Sequence, residues 1–133
     1  MKPTVEMLRS HPDAGDFDAE LLSACIEECF ECASICSTCG DACLAEHDPE
    51  LADCVRLTVE CSEVCSTTGK VLSMMGGGDD EILISQLEAC VEACHAAGQE
   101  AGRHADAHAH CGHCSRACRR CVEACEELLA DLD

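Results

Sequence analysis

The chain has 133 residues, enough for one hydrophobic core but not two, and 16 of them are cysteine. A formal net charge of −19 repels phosphate backbones and argues against nucleic acid as a partner, and no run approaches the roughly 18 uncharged apolar residues of a membrane helix. Trp and Tyr are absent and only Phe17 and Phe30 are aromatic, so cysteine is left to fill the core in their place.

The first ten residues, Met-Lys-Pro-Thr-Val-Glu-Met-Leu-Arg-Ser, hold neither an apolar signal run nor a twin arginine. The expected location is therefore the cytoplasm, where thiols stay reduced and massed cysteine points to metal. Residues 1–15 read as a lead-in, with a short helix over 4–10 that stops near Pro12 and Gly15. Residues 16–133 read as one metal-binding domain. Its first helix begins at Asp16 or Asp18 as N-cap and runs to about Glu46. Asp48-Pro49-Glu50 restarts the chain as a cap followed by proline at the first helical position. The second helix reaches Met75 and is ended by Gly76-Gly77-Gly78. Asp79 or Asp80 caps the third, which runs to about residue 105, and after a His-rich turn the fourth covers roughly 109–131. No strand pattern is present. Helices of about 25 residues, near 37 Å each at ~1.5 Å per residue, joined by short loops predict an all-α, up-down-up-down four-helix bundle.

The spacing of the cysteines carries the chemistry. Cys25, Cys29, Cys32, Cys36, Cys39 and Cys43 follow one another at intervals of 4 and 3, the seam of a single helix. The same register gives Leu51, Cys54, Thr58, Cys61, Cys65, Thr68, Leu72 and Met75 on the second helix. On the third it gives Leu83, Leu87, Cys90, Cys94, Ala97, Ala101, His104 and His108, and on the fourth Cys111, Cys114, Cys118, Cys121, Cys125, Leu128 and Leu132. The unit Ala-Cys-Ile-Glu-Glu-Cys at residue 24 recurs in related form at 89 and 120. In an up-down-up-down bundle Leu22, Leu72, Met75, Leu83, Leu87, Leu128 and Leu132 gather at one end. His104 and His108 gather at the other, beside Cys43, Cys111 and Cys114. An apolar plug, a thiol-lined tube and an imidazole rim are the expected parts.

Side chains at i and i+4 stand about 5–6 Å apart at Cβ, too far for a disulfide on one straight helix, whose Cβ atoms would need about 3.8 Å. A soft ion bridging two sulfurs suits the spacing, and thiolates select Cu(I), Zn or Fe–S clusters. One Cu(I) per thiolate leaves the core neutral. Two private thiolates per ion would hold about eight ions, and bridging thiolates would raise that towards sixteen. Buried thiols are expected to be neutral with raised pKa and to release protons when metal binds. His104 and His108 are candidates for passing metal at the rim. The spacing does not decide whether His110, His113, Met74 or Met75 join them, and the two methionines read as helix-end packing.

Two rivals start from the Cys-x-x-Cys pairs Cys29/Cys32, Cys36/Cys39, Cys111/Cys114 and Cys118/Cys121. Tetrahedral sites would make the chain a metallothionein-like buffer of about four zincs. Structural zinc pairs, though, sit on turns and not inside a continuous heptad register. A thiol oxidoreductase needs one activated pair in a βαβ setting, and a ferredoxin needs a Cys-Pro pattern; neither is seen. No nucleophile–base constellation is visible, so the chain reads as a binding protein and not an enzyme.

The Ala-Cys-Ile-Glu-Glu-Cys start of the first helix and Cys36-Ser37-Thr38-Cys39-Gly40-Asp41-Ala42-Cys43 carry a resemblance. So do Arg103-His104 leading to His108-Ala109-His110-Cys111, and the run from Cys118 to Leu129. Over roughly residues 18–132 the chain resembles the cytosolic, Tat-independent branch of the bacterial copper storage proteins. The resemblance implies Cu(I) held inside the bundle mainly by Cys pairs, uptake near a His-containing open end, and tetramers of bundles. It extends residue by residue to the cysteines and to His104 and His108, and it names no copper donor or acceptor. Members of that family tend to continue the cysteine ladder through the third helix. Here Ala97 and Ala101 interrupt it, so fewer Cu(I) are expected there and more room at the mouth.

Overall fold

The computed structural model describes residues 2–15, 17–74 and 80–132. The elements are α1 (Pro3–Arg9), α2 (Ala19–Ala45), a single 3-10 turn (Pro49–Leu51), α3 (Ala52–Ser73), α4 (Asp80–Arg103) and α5 (Ala109–Leu132). Among the described residues there is no strand. Helix α2 packs on α3 and α5, and α4 packs on α3 and α5. Sequential neighbours pair and the last helix closes against the first, giving the four-helix bundle expected from the sequence.

Local chemistry sets the helix ends. Asp18 is the N-cap of α2, and its Oδ1 accepts from the backbone N–H of Glu20 and Leu21. At the far end Glu46 and His47 close the helix onto the Cys43 and Leu44 carbonyls, with His47 at a φ of 55°. Asp48 then caps the Pro49 turn through the Glu50 N–H at 3.0 Å. The cap expected at Asp79, the end of the second helix at Met75 and the Gly76-Gly77-Gly78 stop all lie outside the described residues. Asp80 itself is already helical.

The core follows the 4/3 register. Every cysteine of the seam is 2% exposed or less, and Thr58, Thr68, Ala97 and Ala101 are fully buried among them. Leu22, Leu72, Leu87 and Leu128 are fully buried and Leu83 nearly so, which forms the plug, while Leu51 is buried at the opposite end. Met74 does not pack there as the sequence suggested. It is 63% exposed, because its backbone has already left the helix. The lead-in is the short helix α1, which buries Val5 and Leu8 on the core; Lys2 clamps it with both oxygens of Glu27 at 2.7 and 2.8 Å. On the α2–α3 face, Gly69 lets the Phe30 ring lie against the α3 backbone, since a Cβ there would meet the ring at 2.8 Å.

Candidate metal centre

From the plug upwards the sulfurs form a continuous column. Cys25 meets Cys125 at 3.7 Å, Cys29 meets Cys121 at 3.9 Å, and Cys121 meets Cys90 at 4.0 Å. On the α3–α4 side Cys65 lies 3.8 Å from Cys90, 3.5 Å from Cys94 and 3.7 Å from Cys61, which is itself 3.7 Å from Cys94. On the α2–α5 side Cys32 and Cys36 lie 3.9 Å apart, each within 3.9 Å of Cys118, and Cys36 reaches Cys114 at 3.7 Å. At the mouth Cys43 touches Cys39, Cys54 and Cys111 at 3.8 to 3.9 Å. The sixteen cysteines suggested by spacing are thus all brought together, and all are free thiols.

Several quartets have sulfurs mutually within 4.8 Å, among them Cys29/Cys90/Cys121/Cys125, Cys32/Cys61/Cys65/Cys94 and Cys39/Cys43/Cys54/Cys111. With metal–sulfur bonds of about 2.3 Å, sulfurs stand about 3.8 Å apart around a tetrahedral ion and about 4.6 Å apart across a two-coordinate one. The column therefore fits soft ions with little movement, and thiolate softness selects Cu(I) or zinc over hard cations.

The thiols do not share one protonation behaviour. At Cys43 and Cys111 loss of hydration on burial is the main cause that pushes the thiol up from its ordinary 9.0. Cys65 and Cys94 also hold their protons, through hydrogen bonds to neighbouring sulfurs (Cys121 and Cys118 first) together with burial. Cys25 is brought down to about 5, because contacts with Cys125 and then Cys29 stabilise its thiolate against burial. Cys121 falls to about 7 for the same kind of reason, with Cys125 and Cys29 as its main partners. A uniformly raised set was expected. The difference arises because these thiols are buried among S–H groups, which solvate a thiolate as hydrocarbon does not.

The rim is built from two turns. The turn after α2 supplies Glu46, and the turn between α4 and α5 supplies His104 and His108, with His110 in the first turn of α5. His104 Nε2 lies 3.0 Å from Glu100 Oε2, and Arg103 donates to the other oxygen at 2.8 Å. His108 Nδ1 lies 3.0 Å from Glu46 Oε2 and its ring stacks on His110, with centroids 5.3 Å apart. Neither of these two imidazoles is the one on the sulfurs. His110 is: its Nδ1 lies 3.5 Å from Cys111, 3.6 Å from Cys39 and 3.8 Å from Cys43. Its Nε2 faces Glu46 at 3.1 Å. His113 turns away to Arg116. The signal for His110 in the sequence was only its place beside Cys111, one residue off the seam.

The family model for copper storage proteins matches residues 18–130. Among solved structures, the copper storage protein Ccsp from Streptomyces lividans, loaded with 10 copper equivalents, is 43% identical over 96% of this chain and 98% of its own, with a TM-score of 0.90. The same organism's cytosolic copper storage protein with five coppers is 45% identical over 84% of this chain and 93% of its own, at a TM-score of 0.79. A histidine-to-alanine variant of Ccsp is 43% identical over 90% of this chain and all of its own, at 0.85. Among curated protein sequences no match was found. A sulfur column of this spacing, in a chain matched over nearly its whole length, makes this protein a member of the copper storage protein family.

Proposed function

We propose that this chain is a cytosolic store for Cu(I), which it binds along the thiolate column from Cys25 and Cys125 at the plug to Cys43, Cys54 and Cys111 at the mouth. The single observation that carries this is the column itself: sixteen buried free thiols within bonding reach of shared ions. Residues 16–133 are its metal-binding domain, and it acts as a binding protein, not a catalyst. His110 is the nitrogen an ion meets beside the sulfurs, with His108 stacked on it and His104 held on Glu100. The exposed apolar side chains Phe30, Leu44 and Val59 on the α2–α3 face support assembly of four bundles, as the family resemblance implies.

The test is an anaerobic titration of the fully reduced chain with Cu(I) and, separately, with Zn(II), reading metal bound per chain against a competing chelator. More than about eight tightly held Cu(I), with weak zinc binding, is expected. A plateau near four zincs that outcompetes copper would make the chain a zinc buffer.

A further inference from the structure

A groove of about 470 Å³ runs along the outer side of the α4–α5 contact, within the size range of small-molecule sites. Its floor is Cys94, a thiol shared by two of the sulfur quartets. The bundle wall is thin here. A Cβ on Gly98 would stand 3.0 Å from the Cys118 Cβ and 3.9 Å from its Sγ, so the bare α4 backbone lies directly against Cys118. Ser115 Oγ donates to the Gly98 carbonyl at 3.0 Å and holds the two helices at this close approach. The rim is polar, with His95 and Gln99 on α4 facing Arg119 and Glu123 on α5, and Arg119 has no ion-pair partner among the described residues.

We infer that this groove is a lateral port at which a small zwitterionic thiol, of the size of a cysteine-containing tripeptide, exchanges Cu(I) with the column at Cys94. Arg119 takes the thiol's carboxylate and Glu123 its ammonium, which leaves the sulfur over Cys94. The inference rests on the storage reading above. In the exchange the incoming thiol forms a sulfur–copper bond, the bond from copper to Cys94 breaks, and the thiol proton passes to Cys94. Copper stays Cu(I) throughout, and no oxidant or reductant is consumed. Run in reverse, the same step loads the middle of the column without passage through the mouth.

Two experiments test the port. In the reduced, metal-free chain, site-resolved alkylation by iodoacetamide compares Cys94 with Cys65, which lies 3.5 Å away at the same level and, like Cys94, holds its proton. Access through the mouth would treat the two alike, whereas the groove makes Cys94 at least about tenfold faster. Equal rates overturn the inference. In the copper-loaded chain, Gln99→Trp fills the groove from an exposed position, and copper loss to glutathione is expected to slow by about tenfold at unchanged capacity and helicity. Unchanged loss also overturns it. Should wild-type chain fail to load copper, the storage reading falls, and the alkylation ratio still judges the groove by itself.

Discussion

Glu46 Oε2 lies 3.1 Å from His110 Nε2, and that contact decides which face the imidazole shows to the sulfurs. With Nε2–H given to the carboxylate, Nδ1 keeps its lone pair and points at Cys39, Cys43 and Cys111. The hydrogen bond from His110 is also the first cause that holds the Glu46 carboxyl below its usual range. Carboxylate partners of this kind are worth about 10–100-fold in metal affinity. Glu46→Gln is therefore expected to weaken the first Cu(I) bound at the mouth by about tenfold and to slow uptake, leaving final capacity unchanged. His110→Ala should slow uptake more than the pair His104→Ala with His108→Ala. Stopped-flow loading followed by an end-point titration separates rate from capacity.

Proton competition sets the pH dependence of loading. Cys43 and Cys111 have pKa values raised above 9.0 by burial, so at neutral pH each ion must displace their protons. Copper affinity at the mouth is expected to rise with pH by about tenfold per unit for each proton released. In the metal-free bundle these raised thiols should act with the opposite sign, while the lowered Cys25 and Cys121 add stability as pH rises towards 9.0. A thiol whose folded pKa is raised contributes stability that is complete below its ordinary value and is lost as pH climbs through the folded one. Chelator competition at two neutral pH values, and thermal melts of the metal-free chain from neutral pH to above 9, check both slopes.

The plug should matter to stability and not to copper. Leu87 is fully buried, as are Leu22, Leu72 and Leu128, in the leucine-rich plug of the described core. Leu87→Ala is expected to cost about 2–5 kcal/mol through the cavity it leaves. The metal-free melting temperature should fall clearly, with the copper stoichiometry kept. A mutant that melted normally but bound fewer ions would place metal in the plug.

Much of this was legible in the chain, because a helix turns a spacing of 4 and 3 into a single face. The seam cysteines fall on the core face for that reason, while Asp18 and the Asp48-Pro49 restart were legible from cap chemistry. The rim read less well. His104 shares the seam register, but just past the end of α4 its ring meets Glu100, four residues earlier, and not the sulfurs. His110 reaches the sulfurs because Glu46, 64 residues earlier in another turn, fixes its orientation. No register count contains that pairing. The lowered thiols Cys25 and Cys121 were illegible for a related reason, since their solvent is a set of S–H groups contributed by other helices. The small residues Ala97 and Ala101 signalled room at the mouth, but the sequence did not show a groove opening sideways at Gly98 and Gly102 beside a thiol.

The two helices that carry sulfur along nearly their whole length are α2 and α5, the first and last of the bundle. They face each other through Cys25/Cys125, Cys29/Cys121, Cys32/Cys118 and Cys43/Cys111. No single turn joins them, and they meet only when the bundle closes. A growing chain on the ribosome therefore carries eleven of the sixteen thiols, with the six of α2 still lacking their α5 partners, until its last two dozen residues have emerged. Cys32/Cys61/Cys65/Cys94 needs no residue of α5, whereas Cys29/Cys90/Cys121/Cys125 and Cys39/Cys43/Cys54/Cys111 are completed only by it, so full capacity is expected only when translation ends. A chain cut before Ala109 is expected to hold clearly fewer copper ions than the whole protein.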